Sequence, residues 1–339
     1  MILSRGFAGS ERATAEMCNS HCGRHNILLI LKRGHAGRNG VSIRQWLDPN
    51  VEVIEVGNWL PRAEIAAALT RFRPDVIHAH LRRSTRMLAA IQPAAPTIAT
   101  LHLSVNGPHF LSMDALICIA HWQARDIPAS YRGRTYFINE SLIPNRRLGA
   151  DEILAIRRGL GVAPHEYLVG GVGRLARSKG FDLLIDAFRQ AGLADTRLAI
   201  FGEGRERSRL ERQCTAAISL PGFRRNIKDY YQAFDLFVSP SRSEPLGRVV
   251  LEALDAGVPV LAAATLGPTE ILRVYPGELF PVGDVPALAA LLKRYRAERP
   301  APHRHDLSPY YLENVARETE SAYRELVEIR RAGRAAAGA

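Results

Sequence analysis

The segment Ser243-Glu244-Pro245-Leu246-Gly247-Arg248-Val249-Val250-Leu251-Glu252 carries two carboxylates with seven residues between them. Residues 236–238 ahead of it form a short apolar run that reads as a strand. Residues 249–256 read as a helix stopped by Gly257 and Pro259. Glu244 therefore falls in the loop and Glu252 inside the helix. Leu246 and Gly247 fall at the helix start, where backbone N–H groups without helical partners and the positive dipole end can hold a phosphate. Glu252 lies five residues past Gly247. At about 1.5 Å per residue that is roughly 7–8 Å along the axis, comparable to the reach from a nucleotide diphosphate to its ribose. A carboxylate there can accept from both ribose hydroxyls, and Glu244 is placed near whatever the diphosphate carries. The plainer alternative is a capping loop with an exposed helix glutamate.

A second constellation, Gly173-Arg174-Leu175-Ala176-Arg177-Ser178-Lys179-Gly180, lies between a strand at 167–172 and a helix whose apolar face is Phe181, Leu184, Ile185 and Phe188. Arg174 and Lys179 put two cations at the end of a strand, facing a helix N-terminus. That combination suits a diphosphate leaving group; a solvated basic loop is the alternative. The segment is not a Walker A loop, because no Gly-Lys-Ser/Thr follows the spacing. Gly202-Glu203-Gly204 is not a dinucleotide fingerprint, since Arg207 stands at the third glycine position.

Other clusters invite chemistry less strongly. Cys18, His21, Cys22 and His25 resemble a metal cluster, yet all four fall in or just after one predicted helix and share its face. A structural zinc site spans two separated ligand pairs, so packing is the preferred reading and no metal site is expected. His78 and His80 alternate at a strand end, so one packs inward; for His80 a packed position and a cleft-facing one are equally open. His102 ends a strand in the same layer. Arg82, Arg83 and Arg86, with Arg62, Arg71, Arg73, Arg132 and Arg134, are a solvated face or a basic surface toward anionic lipid or a phosphorylated acceptor.

These groups need a scaffold, and 339 residues supply about two domains. With 47% apolar and 23% charged residues there is ample material for a core, which excludes disorder as the main state. The longest clean aliphatic run is residues 27–31, far short of the roughly 20 residues of a membrane span. No secretory pattern opens the chain. Four cysteines are no disulfide framework, so a cytoplasmic setting is expected. Residues 1–150 carry a net charge of +8 and the remainder +3. The basic first half could attract nucleic acid, anionic head groups or phosphorylated small molecules. A nucleic-acid-binding protein is disfavoured, because no recognition motif appears and aromatics are only 7%.

Strand and helix patterns alternate twice. In the first half, strands are expected at 1–4, 27–31, 51–56, 76–78, 97–101, 116–119 and 135–138, with helices at 10–22, 63–72 and 82–91. Gly6, Gly9 and Ser10 make a small-residue loop. The polar stretch 144–149 marks a boundary. Beyond it come strands at 167–172, 198–201, 236–238 and 260–263, helices at 229–234, 249–256 and 287–295, and a long amphipathic helix over 309–329. The fold class is α/β, with two doubly wound Rossmann-like domains facing a central cleft: residues 1–148 on the acceptor side, 149–307 binding the nucleotide, and 308–330 as a helix crossing back.

The second half resembles the donor-binding domain of family 4 glycosyltransferases, retaining enzymes of the GT-B fold. The matching text is Gly173-Arg174-Leu175 with Lys179-Gly180, Phe201-Gly202-Glu203-Gly204, Ser239-Pro240-Ser241 with Glu244 and Glu252, Ala256-Gly257-Val258-Pro259-Val260, and Gly267 with Glu270. It covers most of residues 167–295. The first half matches more loosely: residues 1–11 look like the family's opening strand and loop, with Ser10 at a small apolar position. Asp75-Val76-Ile77-His78-Ala79-His80 and Thr100-Leu101-His102 look like two further family loops. Where many members carry Asn-Gly before the second domain, this chain has Asn139-Glu140.

That resemblance implies roles. Glu252 binds the ribose, Arg174 and Lys179 neutralise the diphosphate as the glycosidic bond breaks, and Glu244 contacts donor-sugar hydroxyls. Backbone amides at Leu246 and Gly247 touch sugar or phosphate. The loop after Pro221-Gly222-Phe223 receives the base near Arg224, Gly9 lets the first-domain loop approach the diphosphate, and His102 lies near the reacting carbon. The implied partners are a nucleotide-sugar donor and a glycan or glycolipid acceptor of envelope polysaccharide assembly, such as lipopolysaccharide. Peripheral contact with an anionic membrane is possible on the same reading. No cofactor or metal is expected, the leaving charge being met by protein cations and helix dipoles. A sugar-nucleotide epimerase on the same fold is the alternative.

Overall fold

The computed structural model describes residues 1–7, 9–35 and 42–337. The chain divides into two compact units, Met1–Ser141 with the chain from Ser308 onward, and Leu142–Leu307.

The first unit holds β1 (Leu28–Lys32), β2 (Glu52–Val56), β3 (Ile77–His80), β4 (Thr97–Leu101), β5 (Ala115–Cys118) and β6 (Arg134–Phe137), with α1 (Gly9–His21), α2 (Pro61–Phe72) and α3 (Leu81–Ile91). β1 pairs with β2, and β3 to β6 pair in sequence order, all parallel. Ile2 joins the two ladders through parallel bridges to Leu31 and His80. The strand expected over residues 1–4 is thus reduced to one bridging residue. The reason is local: the Leu3 N–H donates to Ser84 Oγ at 3.2 Å and leaves the ladder. With Ile2 counted as a first strand, the order follows the doubly wound pattern, and alternate residues of β1 face opposite layers. Leu29 and Leu31 pack with Ala15 of α1, whereas Ile30 packs with Ile65 and Ala68 of α2.

The second unit holds β7 (Tyr167–Val172), β8 (Thr196–Phe201), β9 (Ile218–Gly222), β10 (Leu236–Ser239), β11 (Val260–Ala263) and β12 (Glu278–Phe280). Its helices are α4 (Ala150–Gly159), α5 (Phe181–Ala191), α6 (Arg207–Glu211), α7 (Ile227–Tyr231), α8 (Arg248–Ala256), α9 (Leu266–Ile271) and α10 (Val285–Glu298). The sheet order is β12-β11-β10-β7-β8-β9, all parallel. This is the doubly wound order, with its switch point between β7 and β10, the crevice where such sheets bind ligands at the strands' carboxyl ends. Phe181, Leu184, Ile185 and Phe188 of α5 are buried together with Leu198, Ile200 and Val238, as their spacing requires. The elements absent from the sequence reading are α4, α6, α9, β9 and β12. The two strands are the sheet edges, where half the ladder is missing and a residue such as Pro221 is tolerated.

The division falls at Ser141/Leu142, ahead of the expected 148. Residues 142–149 are strapped to the second unit. The Asn145 N–H donates to Asp255 Oδ2 at 2.5 Å, its Nδ2 donates to the Glu252 carbonyl at 3.1 Å, and the Leu148 N–H donates to Gln232 Oε1 at 3.1 Å. The final helix, α11 (Leu312–Ala337), belongs to the first unit. Tyr323 Oη bonds His78, Glu325 accepts from Tyr136 Oη at 2.9 Å, and Arg330 pairs with Asp114 at 2.7 Å. Among the described residues no helix is long and apolar enough to cross a membrane.

Candidate active site

In the second unit the loops after β7 and β10 meet at the switch point. The N–H groups of Arg242 and Ser243 donate to the Ser178 carbonyl at 2.8 and 3.3 Å. Arg242 forks onto Asp182 with two bonds of 2.7 and 2.8 Å and also holds the Arg177 carbonyl at 2.9 Å. The neighbouring guanidinium holds the Asp182 carboxyl below its ordinary value, against the opposing effect of its burial. Lys179 Nζ pairs directly with Glu244 Oε2. Gly180 sits at φ 66°, and a Cβ there would fall 2.0 Å from the Pro240 carbonyl, so only glycine lets the two loops come this close.

The sequence placed Lys179 and Glu244 in one crevice, and the structure makes them partners. Glu244 is 9% exposed. Its Oε1 accepts the Gly247 N–H at 3.3 Å, and its backbone carbonyl accepts the Gly267 N–H at 3.1 Å. The Gly247 amide, one of the two expected to touch sugar or phosphate, is thus held by the glutamate. The Leu246 N–H has no protein partner among the described residues and precedes Gly247, the N-cap of α8. Arg174 is exposed, with its guanidinium unpaired among the described residues.

Glu252 is not the exposed helix glutamate of the plainer reading. It is 4% exposed; Tyr231 Oη donates to its Oε2 at 3.0 Å, and Arg248 Nε lies 3.5 Å from Oε1. Arg224 lies beyond β9, two strands from β7, where its Nη1 bonds the Phe223 carbonyl at 3.3 Å.

Gly267 sets the height of the Glu244 loop. A Cβ there would lie 2.2 Å from the backbone of Leu246. Gly267→Ala must push residues 244–247 away and break the Gly267–Glu244 bond. Overpacking of this kind costs about 1–3 kcal/mol. A lowered melting temperature and weakened nucleotide binding are expected together, both readable in one thermal titration. Native behaviour in both would show that the loop height is not set there.

His102 and Gly9 belong to the first unit. Gly9 opens α1, and nothing approaches its Cβ position within 4 Å; Ala8 beside it lies outside the described residues. His102 Nε2 lies 3.1 Å from His80 Nδ1, and His102 Nδ1 lies 3.5 Å from Glu140 Oε2. Of the two readings of His80 the structure gives the packed one: it is buried and stacks on His78 at 4.3 Å. His78 has both ring nitrogens engaged, Nδ1 with Tyr323 Oη at 2.6 Å and Nε2 with Thr100 Oγ1 at 2.7 Å. Burial, followed by the Met1 amine and the neighbouring histidines, holds both rings well below the ordinary histidine value. A cavity of about 30 Å³ is lined by these three histidines, Thr100, Glu140 and Ser141 among others.

The Cys18/His21/Cys22/His25 cluster disperses. Burial pushes the Cys18 thiol up to about 11, Cys22 Sγ donates to the Asn19 carbonyl, His21 Nδ1 bonds the Met17 carbonyl and His25 pairs with Glu320. Among the described residues no three His, Cys, Asp or Glu side chains group as a metal site. The basic face is also smaller than its arginine count suggests, since Arg71 pairs with Glu52 and Arg134 with Glu325. Sequence reasoning missed Tyr231, the Asp182–Arg242 clamp and Glu140. The clamp spans 60 residues of chain and leaves no local signal, whereas Glu140 was visible as the departure from Asn-Gly.

Two Rossmann-like units, the second with a paired lysine and glutamate at its switch point, have the α/β architecture of the GT-B fold. Residues 153–311, just under half of the chain, match the family described as Glycosyl transferases group 1. The chain is 28% identical over 250 residues to the lipopolysaccharide core biosynthesis glycosyltransferase LpsD of Rhizobium meliloti, covering 72% of this chain and 71% of the relative. It is also 28% identical over 291 residues to a GDP-mannose-dependent alpha-mannosyltransferase of Mycobacterium tuberculosis, covering 75% and 72%. Among solved structures, Anabaena Alr3699/HepE in complex with UDP and glucose matches with a TM-score of 0.73 at 20% identity over 99% of both chains. WaaG, a glycosyltransferase involved in lipopolysaccharide biosynthesis, matches at 0.67 with 16% identity over 98% and 97%.

Proposed function

We propose that this chain is a retaining glycosyltransferase that moves a sugar from a nucleotide-diphosphate donor to a glycan or glycolipid acceptor in envelope polysaccharide assembly, lipopolysaccharide in the first instance. The observation that carries the reading is the Lys179–Glu244 pair at the β7/β10 switch point, with Arg174 in the same loop after β7 as Lys179. In the resting site the pair leaves neither half-enclosed charge uncompensated. An ammonium has three donors, so Lys179 can keep Glu244 and still meet a phosphate oxygen. As the anomeric carbon becomes cation-like, Lys179, Arg174 and the α8 N-terminus take up the charge growing on the leaving diphosphate. Glu244 holds donor-sugar hydroxyls and Glu252 the ribose. Retention follows if the acceptor attacks from the leaving-group face, with the leaving phosphate helping to remove its proton. These cations make the chemistry metal-independent. The relatives named for lipopolysaccharide core biosynthesis support the setting. The basic first 150 residues, with Trp59 97% exposed beside an exposed Leu60, support work at the cytoplasmic membrane face.

The test is the melting temperature of the full chain against a panel of nucleotides and nucleotide sugars, with and without EDTA. A ligand that binds the folded state raises it, by about 2.7 kcal/mol of stabilisation at one hundred times Kd. A rise with one nucleoside diphosphate and its sugar, unchanged by EDTA, is expected and identifies the base. No rise with any nucleotide would overturn the donor site.

A further inference from the structure

The first unit holds a single lysine. Of the 45 Lys+Arg in the chain only four are lysine, and residues 1–150 carry Lys32 alone. Lys32 closes β1 and is 7% exposed. By alternation it shares the face of Ile30, the layer of α2 and α3. Its ammonium makes no hydrogen bond or ion pair among the described residues. Burial, followed by the positive charges of Arg5 and Arg83, holds it below the ordinary lysine value, and no carboxylate acts against them. Arg5 is exposed and Arg83 half-buried, and neither has an anionic partner among the described residues.

Hydrogen bonds fasten together the three segments that carry these cations. The Leu3 N–H donates to Ser84 Oγ at 3.2 Å, which ties the Arg5 loop to the first turn of α3, where Arg83 lies. Ser4 Oγ lies 3.3 Å from His35 Nε2, and the His35 N–H donates to the Lys32 carbonyl at 3.1 Å. His35 Nδ1 is itself buried without a hydrogen-bond partner among the described residues. Ile2 bridges Leu31 on one side and His80 on the other, so these segments meet at the switch point of the first sheet. We propose that Lys32, Arg5 and Arg83 form a phosphate site of the first unit, which holds a phosphate group carried by the acceptor saccharide. The proposal rests on the reading of the chain as a glycosyltransferase with its acceptor on the first unit.

The argument is one of charge compensation. Taking an ammonium out of water is costly unless a counter-charge and hydrogen bonds offset it. Lys32 has neither, and its two neighbours add repulsion. The carboxylates of the same sheet edge are committed elsewhere: Glu55 accepts from Arg44 at 2.7 Å, and Glu64 accepts the Gly57 N–H at 2.8 Å beside Arg33. A ligand anion supplies what the chain omits. A phosphate monoester fits best, because it carries close to two negative charges at neutral pH and three acceptor oxygens. The compact ammonium can meet one oxygen while the guanidinium forks take the others. A carboxylate brings half that charge, and a neutral saccharide brings none.

The test uses the full chain with isotope-labelled lysine, whose four Cε–H signals are assigned by substitution. Nucleoside diphosphate is added to saturation, then glycerol phosphate, with glycerol and with potassium chloride at equal ionic strength as controls. The nucleotide should move the Lys179 signal. Glycerol phosphate should then move Lys32 alone, and neither control should. Lys32→Met keeps the apolar stem and removes the charge. By calorimetry it should bind glycerol phosphate about 10–100-fold more weakly, and Arg83→Gln about tenfold more weakly. In phosphate-free buffer Lys32→Met should melt no lower than the native chain, since an uncompensated charge is gone; a structural lysine would lower the melting temperature. A Lys32 signal unmoved by glycerol phosphate would overturn the proposal. So would movement with the nucleotide as large as that of Lys179, which would give the cations to the donor. Movement with phosphatidylglycerol vesicles but not with glycerol phosphate would also overturn it, in favour of a membrane contact. A poorly folded Lys32→Met beside an Arg83→Gln of native affinity would do the same. If no nucleotide moves Lys179 while glycerol phosphate still moves Lys32, the donor site fails and the phosphate site stands.

Discussion

Lys179→Ala should lower kcat by about 10²–10³-fold with donor saturating, the range seen when one preorganised charge-stabilising donor is removed from a reacting centre. The ammonium is the partner of Glu244 and the cation held closest to it. Its loss also leaves a largely buried carboxylate uncompensated, so melting temperature should fall as well. The two effects separate with Lys179→Arg, which restores charge to Glu244 without reproducing a compact ammonium. Stability should recover in that variant, and turnover only in part. The decisive measurement is single-turnover transfer with excess enzyme, which removes product release from the comparison. Near-native rates for Lys179→Ala would exclude this lysine from leaving-group stabilisation.

Glu252→Ala should weaken nucleotide-sugar affinity by roughly 10–100-fold, since hydrogen bonds to a charged group contribute about 1.5–3 kcal/mol each. The ribose takes no part in bond breaking, so kcat at saturation should change little, the signature of uniform binding. Alanine also strips the acceptor from Tyr231, whose side chain is fully enclosed, and stability should drop. Glu252→Gln is the cleaner variant: its carbonyl still accepts from Tyr231 while the charge is gone. It should lose about tenfold in affinity, measured by calorimetry with the matching nucleoside diphosphate. Unchanged affinity in both variants would remove Glu252 from the ribose site.

Much of this site was legible in the chain because its parts obey local rules. A strand, a Gly-bearing loop and a helix start follow one another twice, at 167–181 and at 236–252, and each loop carries its charged residue just ahead of the helix. Periodicity likewise marked Phe181, Leu184, Ile185 and Phe188 as a buried face, and they are buried. The edge strands β9 and β12 were not legible, because an edge strand of three to five residues need not be continuously apolar. The domain division was misplaced by the Pro and Gly of 144–149, which signal a turn but say nothing about which unit the turn is fastened to. Asp255 and Gln232, more than 80 residues further on, decide that.

By itself the sequence determined the class of the molecule: two α/β halves, a basic first half and a pair of charge-bearing strand-end loops. These follow from composition, period and spacing, which act over a few turns of chain. Tertiary structure alone decided which charges are partners. It gave Lys179 to Glu244, Glu252 to Tyr231 and Glu140 to His102, and it enclosed His80 instead of presenting it. Each of those pairings is a contact across tens of residues, set by the order of strands in a sheet. Strand order is a property of the packed whole, since it depends on which apolar faces are buried against one another.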